Sequence, residues 1–112
     1  MRGVAGRVSD LIEENDDGFT LTATPTGAQV LGVRSAGEKL IARSQGSVTI
    51  SLKGATRPDS QLLSLLLCWL RVAMTRGTTL HFSHLSPELQ AMAQLSGLQR
   101  LHPSFAPSSQ QS

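Results

Sequence analysis

Residues 47–77 read SVTISLKGATRPDSQLLSLLLCWLRVAMTRG and contain the clearest strand and the longest helix that the sequence predicts. The stretch opens on an alternating, β-branched run at residues 48–52, which predicts a strand. Asp59 follows a loop and can accept hydrogen bonds from the unpaired N–H groups of a first helical turn, so it predicts a helix start. That helix is expected to run to about Arg76, because Gly77 stands where a left-handed residue commonly ends a helix.

The residues before this unit predict a hairpin and a short helix. Residues 19–23 alternate apolar side chains with threonines, which is the period of a half-buried strand. Pro25 begins a turn, and residues 29–33 are interpreted as a second strand that pairs with the first. Residues 35–44 predict a short helix.

The residues after the unit predict one more strand and one more helix. Residues 78–82 form the strand, and Ser86 caps a helix with Pro87 at its first position. Gly97 ends it. The resulting order β-β-α-β-α-β-α predicts one α/β domain whose mixed sheet has four or five strands, mostly parallel.

The two ends of the chain differ in composition from the body. Residues 1–17 hold five of the eight acids and are expected to be a flexible acidic tail, whereas residues 103–112 are rich in Pro, Ser and Gln and are expected to be disordered. The domain is therefore predicted to span residues 18–102. From residue 18 onward eight lysines and arginines stand against three acids, and a body of net charge +5 favours an acidic partner surface or a phosphate.

Composition also limits where the protein works. The single cysteine cannot form an internal disulfide and gives no sign of an oxidising compartment. The longest apolar run, residues 62–70, is interrupted by Ser64 and Cys68 and is shorter than the roughly 20 residues that a membrane span needs. We expect a cytoplasmic protein without direct membrane insertion.

A helical wheel of residues 59–76 separates an apolar arc from a polar one. The apolar arc is expected to face the sheet and consists of Trp69, Leu62, Ala73, Leu66, Leu70, Leu63, Met74 and Leu67. Leu65 and Val72 fall at the edge of the polar arc, where the core does not explain them. Either they form a protein contact, or a neighbouring loop or the tail covers them.

The segments 47–55, 57–60 and 63–67 resemble the core of a STAS domain, in which an apolar strand, a loop, an Asp-Ser pair and a Leu-rich helix follow one another. The spacing of residues 69–98 is also similar, and the likeness is greatest to the STAS subunits of lipid-asymmetry (Mla-type) ABC transporters. Those subunits share their fold with anti-sigma-factor antagonists. The resemblance implies a STAS-like mixed sheet with helices, and it places Ser60 beside a partner-binding surface.

Two functions follow from this resemblance. The first is a non-catalytic subunit that binds the ATPase of such a transporter, at the periphery of the inner membrane, and stabilises or regulates it. The second is an anti-sigma-factor antagonist that binds an anti-sigma kinase and is released when Ser60 is phosphorylated. Where the family has a small residue and then Gly after the Asp-Ser pair, this chain has Gln61 and Leu62, and Pro58 precedes the pair. We therefore expect Ser60 to remain unphosphorylated.

The partner-binding surface is predicted on one side of the long helix. Its members are Ser60, Gln61, Ser64, Leu65, Cys68, Arg71 and Val72.

Other chemistries find little support. His81 and His84 would point to opposite faces of a strand, so no metal site is predicted. No glycine elbow surrounds Ser60, so a triad of Asp59, Ser60 and His81 is rejected, and neither an enzyme nor a bound cofactor is expected. The basic residues are spaced singly without an aromatic ladder, which argues against nucleic acid.

Overall fold

The computed structural model describes residues 8–44 and 46–97, in which helices and strands alternate along the chain. Their bounds are α1 Val8–Leu11, β1 Ile12–Asn15, β2 Gly18–Leu21, α2 Gln29–Arg43, β3 Ser47–Ser51, α3 Ser60–Arg76, β4 Thr79–Ser83 and α4 Pro87–Leu95. The strands form one sheet in the order β1-β2-β3-β4. β1 and β2 are antiparallel, whereas β2, β3 and β4 are parallel. This is the mixed α/β sheet with helices that the sequence predicts.

Alternation along the strands gives the sheet one apolar face. Its buried residues are Phe19, Leu21, Val48, Ile50, Leu80 and Phe82. The helix α3 packs on this face, since the Trp69 ring meets the Phe19 ring edge-on with 5.2 Å between centroids. The polar residues between them, such as Thr20 and Thr49, therefore belong to the opposite face. The predicted role of Trp69 in the core is confirmed.

The ends of the two predicted capped helices follow the predicted chemistry. One Asp59 carboxylate oxygen accepts a hydrogen bond from the Leu62 N–H at 2.9 Å, and Gly77 adopts the left-handed conformation with φ 72°. At α4 the Ser86 hydroxyl accepts a hydrogen bond from the Leu89 N–H at 3.1 Å. These contacts satisfy donors and acceptors that a helix leaves unpaired at its ends.

The prediction of a strand at residues 29–33 is wrong, because these residues form the first turns of α2. As a helix they continue a buried stripe at Val33, Gly37 and Ile41, spaced four residues apart. Packing of this stripe against the core outweighs the weak helix propensity of the valines and glycines. The expected short helix at 35–44 is the second half of the same element.

The strand that pairs with β2 comes instead from the expected acidic tail. Ile12 lies opposite Leu21 and Glu13 opposite Thr20, and the Asn15 side chain accepts hydrogen bonds from the Asp17 and Gly18 N–H groups at 2.9 Å. A charged strand is compatible with this position because β1 lies at the end of the sheet. Residues 8–17 are thus part of the fold, while residues 1–7 and the predicted disordered segment 103–112 lie outside the described residues.

The apolar arc of α3 is centred differently from the prediction. Leu65, expected at the semi-exposed edge, is 1% exposed and belongs to the core, whereas Met74, expected to face the sheet, is 70% exposed. Leu63 and Leu67 are half-buried against the core. The reason is α2, which lies along the Leu65 side of α3 and buries it.

Candidate functional site: the groove between two helices

The close approach of α2 and α3 defines a groove on the surface. Gly37 of α2 lies directly against the Trp69 indole, so that a Cβ at this position would stand 2.4 Å from two ring carbons. The Trp69 Nε1–H donates a hydrogen bond to the Arg34 carbonyl oxygen at 3.1 Å. A glycine and a buried indole therefore set the spacing of the two helices, and the side chains above them line what we call the α2–α3 groove.

The N-terminal half of the groove contains most of the predicted surface. It is a shallow depression of about 170 Å³ lined by Val30, Leu31, Arg34, Ser60, Gln61, Ser64, Leu65 and Cys68. Leu65 forms its buried floor, Cys68 is half-buried, and the three polar residues of α3 are exposed. Five of the seven predicted partner-binding residues thus lie together. Leu65 is buried, so a partner can contact it only at the bottom of the depression.

The other two predicted residues, Arg71 and Val72, lie in the C-terminal half. This depression has a volume of about 480 Å³ and is lined by Ser35, Glu38, Lys39, Ala42, Arg71, Val72, Thr75 and Arg76. Val72 is half-buried and packs against the core, whereas Arg71 is exposed. The predicted surface therefore extends along both halves of one groove.

The sequence interpretation missed the contribution of α2, above all Leu31. This side chain is 67% exposed although it is large and apolar, and it lines the same depression as Ser60. A helical wheel would have revealed it, since Leu31 stands about 200° from the buried Val33 when each residue turns the helix by about 100°. Reading residues 29–33 as a strand concealed that signal.

The charge around the groove is positive. The sequences of α2 and α3 contain Arg34, Lys39, Arg43, Arg71 and Arg76, against Glu38 as their single acid. Arg34 Nε lies 3.1 Å from Glu38 Oε2, and this hydrogen bond raises the pKa of the Arg34 guanidinium above its ordinary value. Arg34 and Glu38 thus form an ion pair at the boundary between the two halves.

Ser60 is the first residue of α3 and is exposed. The neighbouring Asp59 carboxylate is engaged with the Leu62 N–H, and the Leu62 side chain is buried in the core. Leu62 therefore does not shield the Ser60 hydroxyl from a partner, whereas Gln61 remains exposed beside it. The loop before α3 is held by hydrogen bonds from the Gly54 N–H to the Leu21 carbonyl and from the Arg57 N–H to the Thr24 hydroxyl.

The remaining chemistry-bearing residues do not form a second site in the part of the chain that the structure describes. No group of three His, Cys, Asp or Glu side chains there is arranged to hold a metal ion. His84 lies beyond β4, with its Nδ1 3.2 Å from the hydroxyls of Ser51 and Ser83. None of the helices in residues 8–44 and 46–97 has the length and hydropathy of a membrane span.

Comparison with known proteins gives one informative result. The chain matches the family model described as Mlab, STAS domain over residues 12–103, and comparison with curated protein sequences gives no match. The matched region begins at β1, so it includes the hairpin strand. The family match covers most of the chain, and the mixed sheet with α3 packed on it agrees with the expected STAS-like fold. The predicted STAS resemblance is confirmed, and the chain belongs to the STAS domain family.

Proposed function

We propose that this protein is a non-catalytic subunit that binds the cytoplasmic ATPase of an Mla-type phospholipid ABC transporter and stabilises or regulates it. STAS domains generally mediate protein-protein interaction, and the description of the matching family model is consistent with the Mla-type assignment. In this proposal the protein is cytoplasmic and reaches the inner membrane only through its partner. The observation that carries the proposal is the α2–α3 groove, which presents an exposed leucine among small polar residues.

The N-terminal half of the groove has the composition of a protein contact. Protein interfaces combine an apolar centre with a polar rim. Here Leu31 is the exposed apolar side chain, and Ser60, Gln61 and Ser64 are the exposed polar neighbours. Fully burying a leucine side chain is worth about 1.5–3 kcal/mol, so Leu31 is the residue expected to contribute most.

The decisive experiment measures the affinity of the purified full chain for the purified ATPase subunit from the same bacterium. Leu31→Asp should weaken binding by about tenfold or more, because it places an unpaired charge in the contact. Ser60→Ala should weaken it by about 0.5–1.5 kcal/mol, the value of one lost hydrogen bond. Both changes are on exposed positions, so the domain should remain folded.

Leu95→Asp is the matched control, since Leu95 is 89% exposed on α4 and does not line the groove. It should leave the affinity unchanged within about twofold. The proposal fails if the unaltered chain does not bind the ATPase, or if the two Asp variants lose affinity equally.

A phosphorylation switch is the second candidate, and the exposure of Ser60 at the start of α3 favours it. A phosphate at this helix start would be stabilised by the unpaired N–H groups of the first turn, although Asp59 would oppose it. We expect mass spectrometry of the protein isolated from cells to find no phosphate on Ser60. A substantial phosphorylated fraction that disappears when one kinase is deleted would instead favour the antagonist.

A further inference from the structure

We propose that the C-terminal half of the α2–α3 groove binds an acidic segment of the partner, with carboxylates facing Lys39, Arg71 and Arg76 and an apolar side chain against Val72. The inference rests on the proposed function in that the partner is taken to be the ATPase. It names the chemistry that this ATPase must present at one end of the contact.

Three cations at this end form no ion pair with an acid in the part of the chain that the structure describes. Lys39, Arg71 and Arg76 are all exposed. The ion pairs found in residues 8–44 and 46–97 use other arginines, since Arg34 pairs with Glu38 and Arg43 with Glu14. The acid in this half of the groove, Glu38, is therefore already engaged by a fourth cation. An incoming carboxylate therefore meets a net positive potential, because Glu38 offsets only one of the four cations.

Acidic and basic residues are also concentrated in different parts of the molecule. Four acids lie on the β1–β2 hairpin and its turn, namely Glu13, Glu14, Asp16 and Asp17. The charged residues of α2 and α3 are basic except for Glu38, and one of them, Arg43, forms an ion pair with Glu14 of the hairpin. Such a division steers an acidic surface to the helices and repels it from the hairpin, which gives the contact an orientation as well as attraction.

The shape and the apolar floor of the depression favour a protein segment over other polyanions. Its volume of about 480 Å³ suits a few inserted side chains, and Val72 and Ala42 give it an apolar floor. Single-stranded nucleic acid is bound by exposed aromatic rings, but Phe19, Trp69 and Phe82 of the described chain are buried. A lipid surface is flat and does not fill a concave site between two helices.

The test reverses the charges in the full chain and measures affinity for the purified ATPase. The double change Arg71→Glu and Arg76→Glu, and separately Lys39→Glu, should each weaken binding, the double change by about tenfold or more. The affinity of the unaltered chain should fall as salt rises, and that of the double variant should fall less steeply. Lys53→Glu is the matched control, because Lys53 is exposed in the loop after β3 and outside the groove. An effect of Lys53→Glu as large as that of Lys39→Glu, which changes the net charge by the same amount, would overturn the inference, because binding would then depend on net charge alone.

A second measurement identifies what occupies the groove. A photoreactive phenylalanine derivative at position 72, introduced into the full chain in cells, should cross-link to a segment of the ATPase that is rich in Asp and Glu. Cross-links to lipid, to nucleic acid, to a neutral or basic peptide, or to the acidic hairpin of a second copy of this chain would each overturn the inference.

The two proposals fail in different ways. If Leu31→Asp prevents binding while the charge reversals leave the affinity unchanged, the acidic segment is wrong and the ATPase subunit stands. If position 72 cross-links to an acidic segment of a different protein, the groove inference stands and the ATPase assignment is wrong.

Discussion

The two flanks of α3 contain similar apolar residues but differ in how deeply the structure buries them. On the flank beside α2, Leu65 is fully buried and Val72 is half-buried. On the other flank, Leu63 and Leu67 are half-buried and Met74 is mostly exposed. A helical wheel drawn from the sequence of α3 alone predicts that Leu63, Leu67 and Met74 face the core. It places Leu65 and Val72 near the polar surface. The comparison shows that the pattern of one helix determines the width of its apolar arc, while its packing neighbour determines where the arc is centred.

The largest effect is expected at Leu65. Leu65→Ala should lower the free energy of unfolding by about 2–5 kcal/mol, because it removes a fully buried side chain and leaves a cavity between α2 and the core. Chemical denaturation measures this directly. A loss below 1 kcal/mol would mean that α2 does not cover this flank. For the same reason, Leu65→Asp should unfold the domain and cannot serve as a probe of binding.

A smaller effect is expected at the point where the two helices touch. Gly37→Ala places a methyl group 2.4 Å from the Trp69 ring, which is buried and cannot swing aside. Overpacking of this kind costs typically about 1–3 kcal/mol. Ser35→Ala, at an exposed position of α2, is the control and should be neutral within about 0.5 kcal/mol. Equal thermal melts for the two variants would show that the helices are not held together here.

A change at the start of α3 should act on both flanks alike. Asp59→Ala removes the acceptor of the Leu62 N–H and should lower the free energy of unfolding by about 0.5–2 kcal/mol. Asp59→Asn keeps an acceptor oxygen and should recover most of that loss. Calorimetric melts of the three proteins would test the role of the cap, and an Asn variant as unstable as the Ala variant would count against it.

The smallest effect is expected at Met74, the counterpart of Leu65 on the other flank. Met74→Ala should change the free energy of unfolding by no more than about 0.5 kcal/mol, because the side chain is 70% exposed. Chemical denaturation of both variants under the same conditions then shows how much more Leu65 contributes to stability than Met74. Equal losses of stability in Leu65→Ala and Met74→Ala would contradict the observed difference in burial and would support the helical wheel drawn from α3 alone.

The sequence predicted β3, α3, β4 and α4 because each carries a local chemical signal. Asp59, Gly77, Ser86 and Pro87 act within one turn of their own position, so their roles do not depend on the rest of the fold. The mixed α/β sheet then followed from the order of the elements.

The errors arose where distant contacts override local pattern. The sequence predicts a strand at residues 29–33 because their apolar side chains lie close together along the chain. The helix that they form instead depends on the packing of Val33, Gly37 and Ile41 against the core. Residues 12–15 read as a tail because they are acidic, and only pairing with β2 makes them a strand. The same error affected the candidate site, because the position of Leu31 in the groove follows only when residues 29–43 are known to form a helix beside α3.

The indole of Trp69 gives the groove an optical reporter of its own. The chain has one tryptophan and no tyrosine, so its near-ultraviolet emission comes almost entirely from a single ring. That ring lies beneath the groove, is fully buried, and is hydrogen-bonded to the carbonyl of Arg34 on the neighbouring helix. Any partner that parts or tightens α2 and α3 will change the polarity around the indole. The wavelength of the emitted light will then follow the event in a protein that carries no label.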